Sequence, residues 1–196
     1  MTLATIAEHT VDIDLLKQGF VLDAGCRNFI FARELARLGC SVVAVDADPT
    51  VEYPSDFRGI FLNVALATES GERNFLMHSN PEARHLVRDG IFSFPTTKVR
   101  TTTISNLMDF YSIESWDVVK LDIEGAEYDI LQQWPGPIAK QISIEFHEHC
   151  GPRPKELYDS IFEHLSQWYK IAQHEKEARH CAGENWWDTL LIRKGT

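Results

Sequence analysis

No run of apolar residues in this 196-residue chain approaches the roughly 20 that a membrane-spanning helix needs. The opening stretch, Met1 to Glu8, lacks the basic segment and long apolar core of a secretory leader, so the expectation is a cytoplasmic protein. Cysteine is scarce. Cys26, Cys40, Cys150 and Cys181 form no Cys-x-x-Cys pair, which argues against a disulfide framework and leaves them as small, partly buried side chains. Basic residues are outnumbered, 19 Lys and Arg against 29 Asp and Glu, for a formal net charge of -10. Without a basic stripe there is little to neutralise phosphates, which excludes nucleic acid and membrane surfaces as expected partners. No repeat, low-complexity tract or linker divides the chain, and its length suits one domain spanning 1–196.

What is present is an alternation of short β-rich runs with helical spacing. Phe20 to Gly25 reads as a strand ending at a turn. Ile30 to Leu38 carries Ile30, Phe31, Leu35 and Leu38 on one helical face, with Gly39 as its stop. Ser41 to Val45 and Ile60 to Ala67 read as the second and third strands, and Glu72 to His78 opens a hairpin. Asn80 to Thr97, with Arg84, His85 and Arg88, is irregular enough to serve as a substrate lid, although solvated charges are the plainer reading of those three. Helical spacing returns at Ile104 to Tyr111. A further helix after Asp122 runs to about Trp134 and stops at Pro135-Gly136-Pro137. Gln141 to Phe146 is another strand, and Leu157, Ile161, Leu165 and Trp168 mark an amphipathic helix. Tyr169 to Gln173 and Asp188 to Arg193 close the pattern as two strands. Alternating βαβ units imply a mostly parallel doubly wound sheet with helices on both faces.

Two segments carry chemistry. Phe20 to Gly25 ends on Asp23-Ala24-Gly25 just before a helix, where backbone approaches a ligand closely and helix N–H groups face an anion. Asp46 follows 21 residues after Gly25 (46 − 25), at the end of the next strand, where a carboxylate is suited to accept ribose hydroxyls. Val118 to Glu127 is the stronger signal: an apolar run delivers Asp122 and Glu124 to a turn at Gly125. The carboxyl end of such a strand is where open α/β sheets bind ligands.

Val21-Leu22-Asp23-Ala24-Gly25, Val45-Asp46-Ala47-Asp48-Pro49, Asn63-Val64-Ala65-Leu66, Lys120-Leu121-Asp122-Ile123-Glu124-Gly125-Ala126-Glu127 and Trp187 to Ile192 together resemble the FkbM-type family of S-adenosylmethionine-dependent methyltransferases. The resemblance implies a class I methyltransferase (Rossmann-like) fold with a seven-stranded sheet. It also implies S-adenosylmethionine as cofactor and O-methylation of a small hydroxylated molecule or sugar. On that likeness Asp23 and Gly25, with Cys26 and Arg27, line the methionine end, Asp46 and Ala47 the ribose, and Asn63 and Val64 the adenine.

A neutral hydroxyl is a weak nucleophile, and a base that takes its proton contributes about 10²–10⁴-fold. Asp122, Glu124, Glu145 and His147 are candidates. Glu145, His147 and His149 share one strand face by the period-2 rule, which points to His147 as general base with Glu145 or Asp122 orienting it. Glu127 reads as a helix-dipole residue of the first turn. Trp186 and Trp187 face opposite ways on a strand, one of them suited to a sugar wall and the other to the core. Asp122, Glu145, His147 and His149 offer oxygen and nitrogen donors for a divalent ion, but no metal ligand is assigned, because the spacings match no Cys-x-x-Cys or His-Glu-x-x-His pattern. Arg27 and Phe29 stand where a glycine-rich turn would carry glycines, which keeps a binding or scaffold protein without turnover as an alternative. A nicotinamide oxidoreductase is disfavoured by the missing Gly-x-Gly-x-x-Gly.

Overall fold

The computed structural model describes residues 1–87, 94–147, 155–174, 179–181 and 184–196. Arg88, His149 and Cys150 lie outside them, so the readings placed on those residues go no further. Strands β1 (Leu3–Ile6) and β2 (His9–Asp12) form an antiparallel hairpin. The chain continues through β3 (Phe20–Ala24), α1 (Ile30–Arg37), β4 (Ser41–Val45), β5 (Ile60–Leu62), β6 (Ala65–Leu66), β7 (Gly71–Leu76), β8 (Thr96–Thr102) and α2 (Ile104–Tyr111). It ends with β9 (Trp116–Leu121), α3 (Glu127–Gln132), β10 (Ala139–His147), α4 (Lys155–Leu165), β11 (Tyr169–His174), β12 (Arg179–Cys181) and β13 (Glu184–Arg193).

The main sheet runs β11-β13-β10-β9-β3-β4-β5, with β12 paired to β13. It is a mixed sheet of eight strands, not the mostly parallel seven-stranded one expected. β5, β4, β3, β9 and β10 pair in parallel, while β13 runs antiparallel to β10, β11 and β12. The reversal follows from the β12–β13 hairpin, which sends the last strand back between β10 and β11.

Two further expectations are corrected. Ile60 to Ala67 is not one strand: β5 belongs to the main sheet and β6 to a three-stranded sheet, β6-β8-β7. The break falls at Asn63, whose amide Nδ2 donates to Asp46 O and Asp48 O, while Val64 N turns back onto Leu62 O. On α1 the buried face is Phe31, Ala32 and Leu35, while Ile30 and Leu38 stay exposed. Gly39 ends that helix as expected, at φ +91°.

Side chains alternate between the two faces of the sheet. Leu22, Val43, Val119, Ile142 and Ile144 pack beneath α2, α3 and α4 with Leu107, Leu131, Ile161 and Leu165. On the opposite face Val21, Val42, Ala44 and Val118 pack against α1 and the hairpin residue Val11. That second face turns polar towards the carboxyl ends of the strands, and there the site lies.

Candidate active site

Register builds the site. Asp23 on β3 pairs with Lys120 on β9, which pairs in turn with Ser143 on β10. These three residues form a lateral row on the α1 side of the sheet. β10 continues past Ile144, the last residue paired with β9, so Glu145 and His147 project beside Asp122, just beyond the end of β9. β13 keeps that overhang extended by pairing Glu145 with Asp188 and His147 with Trp186.

Lys120 is the central cation of the row. Its buried Nζ lies 3.0 Å from Asp23 Oδ1 and 3.2 Å from Asp122 Oδ2, and donates to Gly25 O at 2.9 Å. Burial alone would strip its proton, but Asp23 and Asp122 outweigh it and hold the pKa above the ordinary lysine value. Burial likewise works against the charge of Asp122, yet Lys120, His9 and His147 hold its carboxyl far below the usual range. His9 reaches in from the hairpin. Its Nε2 is 3.5 Å from Asp122 Oδ2 and its Nδ1 is 3.2 Å from Ser143 Oγ. The hairpin is fastened alongside by Asp12 N donating to Gln141 Oε1 and Gln141 Nε2 donating to Asp12 O.

His147 gathers the remaining carboxylates. Its Nε2 is 3.2 Å from Glu145 Oε1 and 3.7 Å from both Asp122 Oδ1 and Glu124 Oε2. Glu124 is carried there in the left-handed region, at φ 55°, a conformation that costs a non-glycine residue about 1–3 kcal/mol. Burial lowers the affinity of His147 for its proton, but hydrogen bonds to Glu127 and Glu145 and the nearby charges of Glu127 and Glu124 carry its pKa well above 6.5. Glu127 differs from its expected dipole role: it is fully buried, accepting from Gly125 N through Oε2 and from His147 N through Oε1. It ties the Gly125 turn to the end of β10.

At the other end, Gly25 has φ +81° and a Cβ there would stand 1.7 Å from Asp122 O. Phe29 does what a glycine would otherwise do in this turn. It adopts φ 58° at the start of α1 and repays the strain by burying its ring against Phe57 and Phe61. Asp46 accepts from Arg27 N through Oδ2 and from Asp48 N through Oδ1, which orients the carboxylate. Burial pushes its pKa up, against those two hydrogen bonds. Cys26 is buried and its thiol pushed far up, by burial and then by Asp23, so it is no nucleophile.

A cavity of about 690 Å³ joins the two ends, within the range of small-molecule sites. Of the expected residues it is lined by Asp23, Gly25, Cys26, Arg27, Asp46, Ala47, Val64, Asp122, Glu124, Glu145 and His147. Asn63 is not in its wall and instead braces the Asp46 loop. Val64, Ala65, Leu66, Phe75 and Leu86 supply an apolar side, and Arg84 closes the rim.

The sequence profile of the methyltransferase FkbM domain matches residues 25–179. The chain belongs to that family. FkbM methyltransferases take their methyl group from S-adenosylmethionine. No curated protein matches the chain. Among solved structures, magnesium protoporphyrin IX methyltransferase from Synechocystis PCC 6803 with bound SAM is similar over 89% of this chain and 69% of its own, at 14% identity and TM-score 0.47. A TehB-like SAM-dependent methyltransferase from Corynebacterium glutamicum covers 89% and 80%, at 13% identity and TM-score 0.42. The 1,6-didemethyltoxoflavin-N1-methyltransferase of Burkholderia thailandensis, with 1,6-didemethyltoxoflavin and S-adenosylhomocysteine bound, covers 89% and 70%, at 15% identity and TM-score 0.43.

Several residues at the site carry no legible signal in the sequence. His9 lies far from every motif, and its hairpin gave no sign of packing on β10. Lys120 has no legible role in the sequence, because a lone lysine in an apolar run reads as a misfit until its carboxylates are seen. Arg84 is not a solvated charge: it lies 2.8 Å from Asp48 Oδ2 and 3.1 Å from Thr50 Oγ1, and donates to His78 O. Trp187 stacks on Phe146 and donates to Tyr158 OH, which serves the core. The side chain of Trp186 lies outside the described residues. Among the described residues no helix is long and apolar enough to cross a membrane.

Proposed function

We propose that this FkbM domain transfers a methyl group from S-adenosylmethionine to a hydroxyl oxygen of a small molecule or sugar. The observation that carries the reading is the single cavity running from the Gly25 turn and Asp46 to Asp122, Glu145 and His147. The donor fits these residues. The volume is sufficient, the oriented Asp46 carboxylate keeps lone pairs for a diol, and Asp23 Oδ2, buried in the wall, has no hydrogen-bond partner among the described residues.

Bound there, the donor supplies an electrophilic methyl on a positively charged sulfur. Asp46 and Ala47 would hold the ribose, Val64 would flank the adenine side, and Asp23, Gly25, Cys26 and Arg27 would wall the methionine. Alignment of acceptor oxygen and methyl is the main task, and geometry of this kind contributes up to roughly 7–11 kcal/mol. The proton leaving the acceptor goes to Glu145 of the Glu145–His147 pair. Asp122, fixed by Lys120 and His9, holds the acceptor in place. The segment from Asn80 to Arg84, clasped to Asp48, covers the mouth as the inner part of a substrate lid.

Calorimetric titration of the purified chain with S-adenosylhomocysteine tests the reading, followed by turnover assays on hydroxylated acceptors. Saturable one-to-one binding is the expected result. Failure to bind at millimolar concentration would leave a scaffold protein in its place.

A further inference from the structure

Three carboxylate oxygens from three residues surround one imidazole nitrogen, at 3.2 Å (Glu145 Oε1) and 3.7 Å (Asp122 Oδ1 and Glu124 Oε2) from His147 Nε2. Two of these separations are too long for direct hydrogen bonds. They are the right length for donors that share an ion: ligands about 2.0–2.3 Å from one centre, at right to tetrahedral angles, stand roughly 2.8–3.8 Å apart. The ligand atoms of Asp122, Glu124 and His147 all lie within 4.8 Å of one another, and so do those of His9, Asp122 and Glu145. Lys120 sits on the Oδ2 side of Asp122 and leaves Oδ1 facing His147.

Two features outside the carboxylate cluster point the same way. His9 is 1% exposed and comes from a separate element. Its Nδ1 is engaged by Ser143 Oγ, the kind of outer contact that orients a metal-binding imidazole, and its Nε2 is turned to Asp122. Asp23, wholly buried in the same wall, has no hydrogen-bond partner for Oδ2 among the described residues.

We infer that Asp122, Glu124 and His147 form a divalent-cation site. Mixed imidazole and carboxylate donors suit ions such as Mn²⁺ or Zn²⁺. The site has no local motif because its ligands come from the ends of two strands and the turn after the first of them. The role of the ion rests on the methyltransferase reading: it would bind the acceptor oxygen and lower its proton affinity. The existence of the site does not rest on that reading.

The test uses the full chain, stripped with chelator, checked for folding by circular dichroism, and equilibrated with Mn²⁺ or Zn²⁺. Bound ion is counted by mass spectrometry and Mn²⁺ followed by electron paramagnetic resonance. The expected result is one ion per chain, with affinity reduced at least about tenfold in folded Glu124→Gln and His147→Gln variants. No stoichiometric ion in the wild-type chain, or unchanged affinity in both variants, overturns the inference. S-adenosylhomocysteine titration on the same stripped sample separates the two readings. Nucleoside binding retained on the stripped chain, with no stoichiometric ion taken up on re-equilibration, retires the metal site alone. Lost nucleoside binding retires the donor reading, while the ion count still decides the metal site.

Discussion

Gly25 and Asp122 touch. The carbonyl of Asp122 occupies the space a Cβ on Gly25 would fill, at 1.7 Å, and Asp122 N donates to Ala24 O. The turn after the first core strand and the acidic turn after β9 are therefore a single packed unit, and the cavity opens where they meet.

Gly25→Ala should accordingly be severe. The substitution meets a backbone atom as well as an unfavourable φ of +81°. A loss at or beyond the top of the usual range, roughly 3 kcal/mol, is expected in denaturant unfolding. A wild-type midpoint would show that the two turns are not packed as described.

Lys120→Met should cost about 3–5 kcal/mol, because it leaves two carboxylates buried without their shared cation. Adding Asp23→Asn should recover part of the loss. Since the pKa of Lys120 is raised by folding, its contribution is complete below the unfolded lysine value near 10.4 and fades only at higher pH. Equal stability of the single and double variants would remove Lys120 from the centre of the row.

Asp46→Ala should weaken S-adenosylhomocysteine binding by roughly 10- to 100-fold, the scale of charge-assisted hydrogen bonds worth about 1.5–3 kcal/mol. Because Asp46 also orients Arg27 N and Asp48 N, the comparison needs a thermal melt of the same variant. An unchanged dissociation constant in a folded protein ends the ribose assignment.

For His147→Ala the expected signature is a fall in turnover of about 10²–10⁴-fold with cofactor affinity nearly intact. Single-turnover methyl transfer and equilibrium titration measure the two separately. Parallel losses would make His147 a structural residue of the Glu127 network.

The Arg84–Asp48 clasp gives a pH test. Burial would raise the Asp48 pKa, but hydrogen bonds from Thr50 and Arg84 outweigh it and the value lies below 3.8. A carboxyl depressed by folding stabilises fully above its unfolded pKa and loses that contribution as pH falls through the folded one. The clasp should thus hold at neutral and mildly acidic pH and open only in strong acid. Arg84→Ala should flatten the acid limb of the stability curve, and an unaltered limb would show that Asp48 is held by Thr50 alone.

Local chemistry was enough to declare the alternating elements, the Gly25 turn, the Asp46 strand end and the acidic tip at Asp122. Each is a matter of apolar period, turn residues and spacing within a few tens of positions. The row Asp23–Lys120–Ser143, the arrival of His9 from the hairpin and the capture of His147 by Glu127 were not readable that way. They join residues 20 to 134 positions apart through strand register and helix packing, and register is settled by which face each strand buries. The same holds for the split at Asn63 and for the antiparallel β13, where hydrogen bonds and packing to distant segments override a continuous β-rich run. Composition thus announced the kinds of group present, and the folded sheet decided which of them share a cavity, because charge and proton affinity depend on neighbours that only the tertiary structure supplies.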